Sequence, residues 1–284
     1  MDYEKPRGLK ILGKIDLTVP NEFDKKAEFP KPESYLQRLK VALADMTERL
    51  SSEYGDFFTV GGQMKMISRD ADYDQDRMKE KIKGFAEDEF KTPEKFLADR
   101  EKNSSNITEI AMTLLFDKVL GEEFIIVRAS TYDDYENGAD QLIIDKKTGA
   151  VVCGVDDVIG NIGDDGGEKK LEKMRRKMMV GRGASIKYGA TCQDGKLIRK
   201  ELSHIPIFYL ALSKDELNNL LKSLTANLSV AAPDQTEKSV YAKLINSLKQ
   251  QAKEYIHINL DPRLRDNLRN FEISLAKMVE AAHL

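Results

Sequence analysis

Tryptophan is absent from this 284-residue chain, and cysteine and histidine are scarce, with two and three residues. Cys153 and Cys192 share no spacing motif, and His204, His257 and His283 are scattered, so no zinc-finger pattern can be assembled. Two unpatterned thiols suit a reducing compartment, and a cytoplasmic location is expected. No apolar run approaches the roughly 20 residues a membrane helix needs, so no membrane partner is expected. The opening residues, Met-Asp-Tyr-Glu-Lys-Pro-Arg, are not followed by the apolar stretch of a signal peptide. A large charge of one sign is also missing: 45 Lys and Arg face 48 Asp and Glu, for a net charge of −3. No overall field draws nucleic acid, and any basic patch must be local. There is no G-x-x-x-x-G-K-[ST], no G-x-S-x-G and no EF-hand loop. Gly160, Gly163 and Gly166 follow a predicted strand but lack dinucleotide-loop spacing, and Asp164 and Asp165 would repel a pyrophosphate.

What is present is the material of a soluble globular protein, with 41% apolar and 33% charged residues. Residues 1–33 carry Pro6, Pro20, Pro30 and Pro32 and read as an extended lead-in. Helices are predicted over 34–54, 71–90, 93–102 and 107–120, the last opened by a capping box, Asn106-Ile-Thr-Glu109. Glu123–Ala129 reads as a buried strand, and Gln141–Asp145 and Ala150–Val158 as a hairpin pair. A Gly/Asp loop and a basic helix, Glu168–Met179, follow. Ala184–Thr191 and Leu197–Leu212 are read as strands, with a kink at His204-Ile205-Pro206. Ser213-Lys-Asp-Glu216 opens a helix to about residue 228, and two more helices span about 236–256 and 262–282. Three regions result: a mostly helical 1–104, a core at 105–214, and a helical 215–284.

The most informative stretch runs from Asn137 to Asp157. Two apolar runs flank the turn Lys146-Lys-Thr-Gly149, and each has an acid at its end remote from the turn. If Asp145 closes the turn opposite Ala150, Asp140 faces Val155; a bulge at Gly149 brings it opposite Asp156 instead. A one-residue slip changes which face every side chain takes. Carboxylates this close repel unless a cation lies between them, and hard divalent ions favour such oxygen donors.

Gly138-Ala-Asp140-Gln-Leu-Ile-Ile, then Val151-Val-Cys-Gly-Val-Asp156-Asp157-Val158, within a helix–strand–strand–strand–helix–strand order, resembles the PD-(D/E)XK nuclease superfamily. The resemblance covers about residues 105–212. It implies an α/β (α+β) fold: a restriction-endonuclease-like core with a mixed four- to five-stranded sheet flanked by helices. It also implies hydrolysis of DNA or RNA phosphodiesters with Mg²⁺, or Mn²⁺ in its place. Asp140 matches the superfamily's strand aspartate, Asp156 the Asp/Glu, and Glu109 the acid on the first core helix. Asp157 is the alternative ligand or offers its carbonyl. The motif lysine falls on Val158, a departure; Lys170 or Lys173 on the following helix would have to supply it, or catalysis is lost.

Nucleic acid, DNA in particular, is the expected partner. Lys169, Arg175, Arg176, Lys177 and Arg182 form the best basic cluster. The same helix could pack its apolar face and remain a plain surface element. Arg128, inside an apolar strand, needs a partner, either a site carboxylate or a phosphate. Two alternatives stand beside the nuclease: a catalytically inactive nucleic-acid-binding module, and a protein-interaction scaffold whose terminal helices pack on a partner or a second copy.

Overall fold

Four helices precede the first strand in the computed structural model, which describes residues 34–160, 182–228, 232–258 and 260–281, with 172, 175, 176, 178 and 180. They are α1 (Leu36–Tyr54), α2 (Ala71–Asp88), α3 (Pro93–Lys102) and α4 (Ser104–Leu120). Leu36, Leu39, Leu43, Met46 and Leu50 form the buried stripe of α1, three or four residues apart; Val41 lies off it and is exposed. Pro93 occupies the first turn of α3, and the Thr92 hydroxyl accepts from the Lys95 amide.

The start of α4 differs from expectation. Asn103, not Asn106, is the cap, and its side chain accepts from the Asn106 amide at 2.9 Å. α3 ends at Lys102, so Asn103 closes one helix and opens the next. Glu109 therefore lies more than a turn inside α4, buried, and is not half of a capping box.

The strands are β1 (Phe124–Arg128), β2 (Gln141–Asp145), β3 (Val151–Ile159), β4 (Ala184–Gln193), β5 (Lys196–Ile205) and β6 (Ile207–Leu212). A four-stranded mixed sheet has the order β1-β2-β3-β6, with β1, β2 and β3 antiparallel and β6 parallel to β3. β1, β2 and β6 are buried along their whole length, the pattern of strands covered on both faces. β4 and β5 form a separate two-stranded sheet. The α/β class is thus as expected, but the strand read as Leu197–Leu212 is two strands. Proline has no amide hydrogen for a ladder, and His204 takes φ +61 just before it. The chain breaks at Pro206, whose carbonyl accepts from the Gly154 amide at 2.9 Å as β6 joins β3.

β6 is an edge strand, and at Tyr209 its outward backbone is satisfied by a side chain. Gln251 accepts from the Tyr209 amide at 3.0 Å and donates to the Tyr209 carbonyl at 2.7 Å. Gln251 lies on α6 (Gln235–Ile256), which follows α5 (Lys214–Ala226) and precedes α7 (Pro262–Ala281). The Ser213–Glu216 capping box of α5 is present, and Asp234 and Glu237 form a second one on α6. α4 packs against β1 and β3, and α7 against β3 and β5, so both helical flanks contribute to one hydrophobic core. Residues Lys31–Leu284 form a single unit. Among the described residues no helix is long and apolar enough to cross a membrane.

Candidate active site

The open end of the β2–β3 hairpin is set by a shift in register. Asp145 donates its amide to the Ala150 carbonyl at 3.0 Å, Ile144 pairs with Val151, and Ile143 with Cys153. The extra residue is therefore Val152 on β3, not Gly149 in the turn. Gly149 has a different duty. At φ +69 it abuts the end of β4 so closely that a Cβ would overlap the Cys192 carbonyl oxygen, and its own carbonyl accepts from the Cys192 amide at 2.9 Å.

The last pair of the ladder is Gln141 with Val155. Beyond it the Asp140 amide still reaches the Val155 carbonyl, at 2.8 Å, and the Asp140 carboxylate accepts from the Asp157 amide at 2.7 Å. A side chain thus takes over where the backbone ladder ends, which holds Asp140 against Asp156 and Asp157.

Glu109, Asp134, Asp140, Asp156 and Asp157 line one polar cavity of 230 Å³, with Arg100, Ser105 and Tyr135 on its wall. The structure brings together all four acids expected at the site and adds Asp134. That residue belongs to a single π-helical turn, Asp133–Asn137. Asp133 anchors the turn: its buried carboxylate accepts from the Lys187 and Tyr188 amides at 2.8 and 3.0 Å, from the Ser130 hydroxyl at 2.7 Å and from Asn137 at 2.7 Å. Gly138, at φ +64, then turns the chain into β2. The acids of this loop do not simply face water, since Glu136 pairs with Arg77 and Lys81.

Arg128 has the partner its burial demands. It donates to Glu109 at 2.9 Å, Asn106 at 3.0 Å and the Gly61 carbonyl at 3.2 Å. Gln141 donates to the Glu109 carbonyl at 3.2 Å and to Asp157 Oδ2. Among the described residues, the buried Asp157 Oδ1 and Gln141 Oε1 have no hydrogen-bond partner.

Electrostatics follow from this crowding. Burial raises the Asp140 carboxyl well above its ordinary value, with Glu109, Asp156, Asp134 and Asp157 adding to it. Burial likewise raises Asp157, reinforced by Glu109 and Asp156 and opposed by Arg128 and Gln141. Asp134 is pushed up to about 6 by burial, against the pull of Arg100, whose guanidinium lies 2.8 Å away.

Among the described residues, no member of the basic cluster lines this cavity. Arg175 pairs with Glu254 on α6 at 2.9 Å, Arg176 with Glu172 at 3.1 Å, and Arg182 is exposed. Lys169, Lys170, Lys173 and Lys177 lie outside the described residues. Among the described residues the cation on the cavity wall is Arg100, a residue sequence reasoning missed because nothing local links α3 to Asp134. Among the described residues no three Asp, Glu, His or Cys side chains close into a metal cage. The chain matches no family model, no curated protein and no solved structure.

Proposed function

We propose that the protein is a divalent-metal-dependent hydrolase of nucleic-acid phosphodiesters. The observation that carries this reading is the partnerless Asp157 Oδ1, buried in a cavity that Asp140, Asp156 and Glu109 also line. An uncompensated carboxylate oxygen among neighbouring acids in one polar cavity suits a hard cation. Asp140 and Asp157 would hold Mg²⁺ or Mn²⁺, with Asp156 beside them. The bound ion supplies charge for the phosphate oxygens and lowers the pKa of a water.

The protein's own groups do the rest. The Asp157 amide fixes the Asp140 carboxylate through the bond at 2.7 Å. Arg128 and Gln141 hold Glu109 and Asp157 from behind, as outer partners do for metal ligands. Arg100 stands at the cavity wall and holds Asp134 through the ion pair at 2.8 Å. Asp134, at about 6, is matched to moving a proton near neutral pH. The order helix, three antiparallel strands, helical residues and, after the separate β4–β5 pair, a fourth sheet strand parallel to β3 is compatible with the PD-(D/E)XK resemblance.

A second reading, a binding module without cleavage, is favoured by the engagement of Glu109 with Arg128 and by a described cavity wall that carries arginine rather than lysine. Single- and double-stranded DNA and RNA incubated with Mg²⁺ or Mn²⁺ decide between them. Cleavage that is absent in EDTA and in Asp140→Asn supports the hydrolase. Binding without cleavage supports the module, and neither result from wild type overturns both.

A further inference from the structure

A second cavity, of 440 Å³, adjoins the carboxylate site and shares Arg100, Glu109, Asp134 and Tyr135 with it. α1, α3 and the loop between α1 and α2 wall it. Its surface is mixed. Leu43, Val60 and Leu97 are apolar, and Gln63, Asn106 and Thr131 offer hydrogen-bonding edges. Val60 is 87% exposed and Leu97 45% exposed, although both are aliphatic. Exposed apolar side chains at a cavity mouth are where a flat, weakly hydrated group gains most from burial.

The charges exclude a phosphate track. Three cations line this cavity, and each has an acid at contact distance: Lys40 with Glu101 at 2.5 Å, Arg100 with Asp134 at 2.8 Å, and Arg128 with Glu109 at 2.9 Å. A duplex is held mainly through unpaired cations against both backbones, and this wall offers none. It offers instead an aromatic and guanidinium cluster, with Arg100 Cζ 4.1 Å over the Tyr135 ring and the Phe85 ring 5.9 Å from it. Arginine planes and aromatic rings are platforms for unpaired bases.

We infer that this cavity receives the unpaired base of a nucleotide next to the scissile phosphodiester, which makes single-stranded nucleic acid, or a frayed end, the substrate class. The inference rests on the hydrolase reading, because the shared residues place a base here only if a phosphodiester occupies the carboxylate cavity. Tyr135 and Arg100 line both cavities and so adjoin both the base and the carboxylate site.

Binding of fluorescent oligonucleotides to the full-length wild-type protein, followed by anisotropy with Ca²⁺ in place of Mg²⁺ to occupy the oxygen donors without supporting cleavage, tests this. A single-stranded oligonucleotide is expected to bind about tenfold more tightly than the same sequence as a duplex or as an abasic chain. Ala44→Phe, which fills the half-buried wall beside Leu43, should remove that preference while the melting temperature stays unchanged. If Ala44→Phe misfolds, the comparison of abasic and normal oligonucleotides in the parent still decides. Equal binding of duplex, abasic and normal strands overturns the base pocket. Cleavage of any nucleic acid by wild type would then leave the hydrolase reading standing. No cleavage and no binding would overturn both.

Discussion

β2 carries a buried aspartate at its far end and a half-buried one just before its start, and the two have opposite fates. Asp145, by the turn, accepts from the Lys147 and Thr148 amides at 2.9 and 2.8 Å and from the Lys277 ammonium at 2.7 Å. Burial pushes its carboxyl up, but Lys277 and the two amides together outweigh that and hold it below its ordinary value. Asp140 has one backbone donor and four carboxylates for company, and its carboxyl is raised. Burial alone therefore says little about a carboxylate's role. The donors around it separate an acid that holds the fold together from one kept short of partners.

The largest test of this contrast is catalytic. Asp140→Asn should lower nuclease activity on the order of 1,000-fold, the equivalent of losing several kcal/mol of transition-state charge stabilisation. Asp145→Asn should leave the activity of the folded protein nearly unchanged. Stability should move the other way. Asp145→Asn breaks a buried charged hydrogen bond and is expected to cost about 1–3 kcal/mol in urea unfolding. Asp140→Asn relieves carboxylate repulsion and should stabilise by about 0.5–2 kcal/mol in EDTA. The same substitution thus has opposite signs at the two ends of one strand, and equal signs would break the comparison.

A smaller effect concerns pH. Asp145, with its carboxyl depressed, contributes stability that is present above the unfolded value of about 3.9 and lost as pH falls through its folded value. Asp134 behaves oppositely. Folded, it keeps a proton up to about 6 that the unfolded chain releases lower, so its contribution declines as pH rises across that window. Urea melts in EDTA should show Asp134→Asn flattening the decline between about pH 4 and about pH 6, and Asp145→Asn flattening the loss in more acidic solution. If Asp134→Asn leaves the profile unchanged, its environment has been misjudged.

Much of the fold was legible because local signals agreed with one another. The Lys146–Gly149 turn between two apolar runs fixed the hairpin, and Ser213 with Glu216 fixed the start of α5. Two capable asparagines three residues apart made the start of α4 ambiguous, and the outcome depended on where α3 ends. The one-residue shift in the hairpin was expressed at Val152, a position with no special residue type, because tertiary fit decides where a β-branched strand kinks. The grouping of Glu109, Asp140, Asp156 and Asp157 could be expected from the sequence. Asp134 lies in an acid-rich loop whose part in the site is decided by a π turn, and Arg100 could not be expected, because a contact between α3 and the loop after β1 places it. Of the basic cluster expected to face nucleic acid, Arg175 and Arg176 make surface ion pairs with Glu254 and Glu172.

The central claim is that the open end of the hairpin is an oxygen-donor site short of a cation, whereas the turn end is complete. Titration of Mg²⁺ and Mn²⁺ by calorimetry into wild type, Asp140→Asn and Asp145→Asn tests it most directly. The account predicts saturable binding to wild type and Asp145→Asn, and its loss in Asp140→Asn. Binding that survives in Asp140→Asn, or is lost in Asp145→Asn, would contradict it.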